Sequence, residues 1–145
     1  MKAHLTRRYR FPASHRLHSA TMSEAENRRV YGKCNNPYGH GHNYALEVTV
    51  GGQVDARTGM VCNLVELDEF VSHEVLERFG HENLNCLEAF QHVVPTTENL
   101  CMEIHRLLER GFRAATLEKV RLEETMMNSF EYYGPRAAEG VASRE

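Results

Sequence analysis

The chain has 145 residues, 41% of them hydrophobic and 26% charged, with a formal net charge of −3. That length is room for one core, and the proportions are those of a folded globular chain, not a disordered or fibrous one. No transmembrane run is visible, no apolar leader follows Met1, and the slight acidity gives no general attraction to nucleic acid or membrane.

Leu5 to about His15 predicts a first strand, with Leu5, Tyr9, Phe11, Ala13 and His15 on one face and Arg8, Arg10 and Ser14 on the other. Ser23-Glu24-Ala25-Glu26 has the capping-box pattern and opens a short helix to about Tyr31. A second strand runs from His42 to Val50. Gly51-Gly52 then predicts a hairpin returning through Gly59-Met60-Val61-Cys62. Asn63 caps a helix carrying Leu64, Leu67, Val71 and Val75 to about Arg78. A longer helix starts near Thr97, with Leu100, Ile104, Leu107 and Leu108 on one stripe and Gly111 as its stop. Leu117–Met126 and Ser129–Tyr133 read as a closing hairpin. Strands at both ends with two long helices between them predict an α+β domain with an antiparallel sheet over residues 1–134, and a disordered tail over 135–145. Cys34, Cys62, Cys86 and Cys101 form no C-x-x-C pair and read as free thiols in a reducing cytoplasm.

The chemistry concentrates in Gly32–Tyr44, which holds Cys34, a turn and the pair His40-Gly41-His42. Strand parity puts His15, His40 and His42 on inward faces, and three imidazoles with one open position suit a catalytic zinc ion. The competing reading of His15 alone is a satisfied core or rim residue. Cys34 could serve as ligand, nucleophile or base, with Lys33 favouring its thiolate, or it could be a buried structural cysteine. Glu124 shares the inward face of Val120, Leu122 and Met126. A buried carboxylate needs donors, and a ligand edge with two adjacent N–H groups would supply them. The alternatives there are a register slipped by one residue or an internal pair with an arginine. His18, His73, His92 and His105 lack this parity and are expected at the surface.

Phe11-Pro12-Ala13-Ser14-His15-Arg16-Leu17, the Gly32–Tyr44 block, Thr58-Gly59-Met60-Val61, His81-Glu82-Asn83-Leu84-Asn85, Thr96-Thr97-Glu98-Asn99 and Glu124-Thr125 stand in order along the chain. Together they resemble the 6-pyruvoyl-tetrahydropterin synthase family from about Arg7 to Gly134. The resemblance implies a T-fold: a four-stranded antiparallel sheet with two helices on one face, its barrel completed by oligomerisation as a homohexamer, a dimer of trimers. It implies a carbon-oxygen lyase acting on phosphates, converting 7,8-dihydroneopterin triphosphate to 6-pyruvoyl-tetrahydropterin plus triphosphate in tetrahydrobiopterin biosynthesis. His15, His40 and His42 match the ligands of one zinc ion per subunit, Cys34 the general base, and His81 the histidine that assists it. Glu124 matches the carboxylate that anchors the pterin, with Thr96, Thr97 and Glu98 lining the same pocket. Magnesium would accompany the triphosphate, for which Arg7, Arg8, Arg10 and Arg16 are candidates.

One position departs from the family pattern. An aspartate usually precedes the histidine, and this chain has Gly80 there, which leaves three expectations: a slow enzyme, another carboxylate in its place (Glu82 or Asp68 as candidates), or a variant reaction; restoring it (Gly80→Asp) is expected to speed turnover. Two other readings stand beside this one: 6-carboxy-tetrahydropterin synthase of queuosine biosynthesis, and a non-catalytic pterin- or zinc-binding relative. A zinc hydrolase is disfavoured, because no helix carries an H-E-x-x-H pattern.

Overall fold

The computed structural model describes residues 2–135. Apart from Pro135, the expected tail lies outside the described residues. The order is β1 (Lys2–His15), α1 (Glu24–Tyr31), β2 (His40–Gln53), α2 (Leu64–Val71), α3 (Glu77–Phe79), β3 (Glu82–Asn83), α4 (Thr97–Gly111), β4 (Thr116–Thr125) and β5 (Asn128–Tyr132). The sheet order is β3-β1-β2-β4-β5, and four strands pair antiparallel. The two-residue β3 adds a short parallel pairing beside Ala13 and Ser14.

Both long strands alternate as their sequences require. Phe11, Ala13 and His15 of β1 are buried, and Tyr44, Leu46, Val48 and Val50 of β2 meet them from the same face. From above, α2 supplies Leu67 and Val71, and α4 supplies Leu100, Ile104, Leu107 and Leu108. Between α2 and α3 the helix takes a π turn, Ser72–Leu76, closed by the Glu77 N–H donating to the Ser72 carbonyl five residues back. A regular α-helix drifts about 40° for each four-residue step. The wider turn takes up that drift, so Leu67, Val71, Val75 and Phe79 all stay in the core.

Gly51 and Gly52 do not turn the chain, contrary to the hairpin expected there. They lie inside β2, paired with His4 and Ala3 of β1. A Cβ on Gly51 would stand 2.5 Å from a Glu118 carboxylate oxygen and 2.9 Å from the His4 ring, so this glycine serves close approach. The reversal comes at Asp55, whose carboxylate accepts from the Arg57 and Thr58 N–H groups, and residues 59–62 form no strand.

The β4–β5 ladder shifts register between Glu123 and Thr125, which leaves Glu124 as the extra residue of a bulge. Its side chain stays on the face of Leu122, as parity predicts. Met126 does not: it sits in the turn that follows and is 97% exposed.

Candidate active site

At one end of β1 and β2 the register sets His15 directly opposite His40, and His42 opposite Ala13. The His15, His40 and His42 rings stand edge to face, with centroids 4.7–5.0 Å apart. Glu124 arrives from the bulge in β4, and one donor atom from each of the four residues lies within 4.8 Å of the others. The spacing is that of a metal site. Two further observations support the fit. His15 Nε2 and His40 Nε2 face one another at 3.1 Å, and the buried His42 Nε2 has no hydrogen-bond partner although Glu124 Oε1 is 2.9 Å away. That contact lacks hydrogen-bond direction, and a shared cation would satisfy all three nitrogens.

The surroundings orient His15 and keep it neutral. Its Nδ1–H donates to the Pro95 carbonyl at 2.7 Å, which fixes the tautomer and turns Nε2 toward the cluster. Burial pushes its pKa below the ordinary histidine value, against the pull of that hydrogen bond. Burial also lowers His42, with the Glu124 carboxylate opposing. Tyr44 stacks on Phe11 at 5.2 Å and places its hydroxyl 3.4 Å from His15 Nδ1. Sequence reading treated Tyr44 only as a strand residue, and a carbonyl such as that of Pro95 leaves no side-chain signal at all.

The expected pterin-binding residues separate. Thr97 is buried and its hydroxyl donates to Glu124 Oε2. Thr96 is the N-cap of α4, its hydroxyl accepting from the Asn99 N–H at 3.1 Å. Glu98 is exposed in the first helical turn. Cys34 is half-buried in the 3₁₀ turn Gly32–Asn35. Burial pushes its thiol pKa up and the Glu124 carboxylate adds to that. Lys33, expected to favour the thiolate, is exposed, and the pushes on the thiol from burial and Glu124 both act against ionisation.

His81 stands apart. It follows α3 with φ 63°, unusual for a residue with a side chain, and its N–H donates to the Pro12 carbonyl at 2.6 Å. Its exposed ring borders a groove lined by Pro12, Ala13, Ser14, Gly41, His42 and Asn43, so the groove reaches one of the three inward histidines. No contact joins it to Cys34 among the described residues. An aspartate at Gly80 does not fit this backbone, because a Cβ there would lie 2.5 Å from the Leu76 carbonyl oxygen. Asp68 is not the substitute: it takes a bidentate pair from Arg7 and a 2.7 Å bond from Tyr9. Glu82 does share the groove with His81.

Arg7 is thereby occupied, and Arg8 pairs with Glu47 on the opposite face of the sheet, so neither is placed to meet a phosphate at this cluster. His105, expected at the surface, is 2% exposed: it sits beneath Tyr132 with its Nδ1 3.2 Å from Glu109. Among the described residues no helix is long and apolar enough to cross a membrane.

The profile of the family described as "6-pyruvoyl tetrahydropterin synthase" matches residues 4–135. A 6-pyruvoyl tetrahydrobiopterin synthase of Drosophila melanogaster is 45% identical over 141 residues, covering 96% of this chain and 84% of the relative. The protein of that name from Homo sapiens is 42% identical over 134 residues, 92% of each chain. The solved 6-pyruvoyl tetrahydropterin synthase of Caenorhabditis elegans superposes with a TM-score of 0.88 at 40% identity, covering 92% of this chain and 96% of that one. The chain has the T-fold and belongs to the 6-pyruvoyl tetrahydropterin synthase family.

Proposed function

We propose that the protein converts 7,8-dihydroneopterin triphosphate to 6-pyruvoyl-tetrahydropterin plus triphosphate, as a zinc-dependent lyase of the cytoplasm. The observation that carries this reading is the convergence of His15, His40, His42 and the Thr97-held Glu124 on one point. His15, His40 and His42 would hold the zinc ion, which when bound supplies Lewis acidity toward the oxygens of the substrate's side chain. Glu124 accepts the two adjacent N–H groups of the pterin edge, and Thr97 keeps its carboxylate turned to them. Cys34 Sγ takes and returns the side-chain protons. Its thiol, raised by burial and by Glu124, holds a proton until charge in the site changes.

His81 assists Cys34 across a subunit contact, because within one subunit the two do not meet. Closure of the open sheet into a barrel by three subunits, and stacking of two such trimers, would provide that contact and cover the sheet's edges, β5 on one side and, on the other, β3 with the stretch of β1 it leaves unpaired. Glu82 is the carboxylate available to orient His81 in place of the family's aspartate.

The test is to incubate the zinc-loaded protein with 7,8-dihydroneopterin triphosphate and identify products by mass spectrometry, with Cys34→Ala as control. A pyruvoyl product lost in the variant is the expected result. A carboxy product with acetaldehyde assigns the queuosine-pathway reaction instead. Unchanged substrate in the presence of bound pterin and zinc overturns the enzymatic reading.

A further inference from the structure

Along the solvent-facing flank of α4 lies a cavity of about 820 Å³, closed by the segment before that helix and by the end of β5. The volume is within the range of roughly 300–1,000 Å³ usual for small-molecule sites. Phe90, Val93, Met102 and Tyr132 give it an apolar wall, on which Val93 and Met102 are left 45% and 37% exposed. None of His15, Cys34, His40, His42 and Glu124 borders it. Two polar groups on its wall lack the partner their surroundings call for.

His105 is the first. It is buried, yet its Nε2 makes no hydrogen bond. A buried polar atom without a partner is uncommon and costs stability until something supplies the bond. Glu109 Oε2, 3.2 Å from Nδ1, favours the proton on that nitrogen, and burial keeps the ring neutral. Nε2 is then a bare acceptor that calls for a donor. Gly134 passes against this edge of the ring with φ 91°, where a Cβ would stand 2.8 Å from Cε1 and 3.1 Å from Nε2. Gly134 and Pro135, the latter on the cavity wall, follow the end of the β4–β5 ladder at Tyr132. This turn can therefore shift outward and open Nε2 to the cavity without breaking a ladder bond.

Arg113 is the second. Its guanidinium donates to the Glu109, Arg110 and Phe112 carbonyls, and among the described residues it meets no carboxylate. The other arginines of the wall are committed, Arg106 to Glu103 and Arg110 to Glu74. A guanidinium carries more donors than these carbonyls use, so Arg113 keeps capacity for an anion. It folds back to within 3.0 Å of the Glu109 carbonyl, one helical turn beyond His105. Acceptor and cation are thus separated by roughly 6–12 Å along the helix. We infer that this cavity is a second ligand site for a planar aromatic anion, with its ring against Phe90, Met102 and Tyr132, an N–H on His105 Nε2 and its anionic group on Arg113. The inference does not depend on the proposed reaction.

The probe is indole-3-acetate, which carries an N–H and a carboxylate at opposite ends of one ring system. It is titrated calorimetrically into the intact protein beside 1-methylindole-3-acetate, which lacks the donor, and 3-methylindole, which lacks the anion. The expected result is one site per chain for indole-3-acetate, with each analogue about tenfold weaker, as for loss of one hydrogen bond or charge-assisted contact. In Arg113→Gln, at an exposed position, indole-3-acetate should bind no better than 3-methylindole. In His105→Phe the two acetates should bind alike, and Arg57→Gln, on a remote loop, should change nothing. Absence of saturable binding, as for a nitrogen satisfied by water alone, overturns the assignment. So does equal affinity for the methylated acetate in the parent, or a retained preference for indole-3-acetate over 3-methylindole in Arg113→Gln. If His105→Phe does not fold, the analogues in the parent and in Arg113→Gln decide the matter.

Discussion

Replacing Gly80 by alanine sets a methyl group 2.5 Å from the Leu76 carbonyl oxygen, well inside van der Waals contact. That oxygen is already engaged, accepting the Gly80 N–H at 2.9 Å where α3 ends. Relief requires either that the carbonyl swing away, weakening the bond, or that the following residues shift toward Phe11, whose Cβ would be 3.9 Å from the new methyl. Forced overpacking of this kind costs about 1–3 kcal/mol. For a chain of this length each kcal/mol lowers Tm by roughly 3 °C, so Gly80→Ala should melt about 3–9 °C below the parent. Gly80→Asp should lose at least as much, and should slow turnover rather than raise it, since the strain falls on the residue that aims His81. Urea unfolding of both variants, with product assays at a temperature where each is folded, measures the two effects. A Gly80→Ala stability within about 0.5 kcal/mol of the parent would refute the clash. A faster Gly80→Asp would reinstate the missing aspartate as a catalytic loss.

Two further outcomes can be checked on the same material. Asn27 is fully buried, accepting from the Ser19 N–H and donating to the Ser19, Met22 and Ser23 carbonyls; Asn27→Ala should cost about 2–4 kcal/mol, with exchange protection lost first in residues 17–23. Burial holds His105 below the ordinary histidine pKa, so the unfolded chain binds its proton first as pH falls through about 6.5. Stability should therefore decline from pH 7 toward pH 5 and recover on return, with a shallower slope in His105→Leu; an unchanged slope by urea titration would sink this account.

Much of the site was legible because strand alternation is a geometric rule. Parity alone aligned His15, His40, His42 and Glu124 with the buried face, and each does lie there. What periodicity could not see were the insertions that break it. The π turn after Val71 keeps Phe79 in the core, and the bulge at Glu124 frees that residue from the ladder while Met126 leaves the sheet. Gly51-Gly52 misled for another reason: a glycine pair that turns a chain and one that admits a neighbouring strand's side chains look alike in sequence. His105 was misplaced because polarity is a weak guide to burial where a ring has Tyr132 above it and Glu109 beside it. No sequence signal marked the Pro95 carbonyl, and the separation of His81 from Cys34 is a matter of tertiary arrangement.

The pairing of His15 with His40 also bears on the topology of the chain. Between these two neighbours the backbone makes a single excursion, residues 16–39, which carries α1 and Cys34. An ion held by both rings would close that excursion into a ring at its base. A cross-link around a loop of this length removes about 3 kcal/mol of conformational freedom from the unfolded chain. Unlike a disulfide, such a closure could be withdrawn by a chelator, so the ion that serves the chemistry would also act as a removable staple for the segment that carries the thiol.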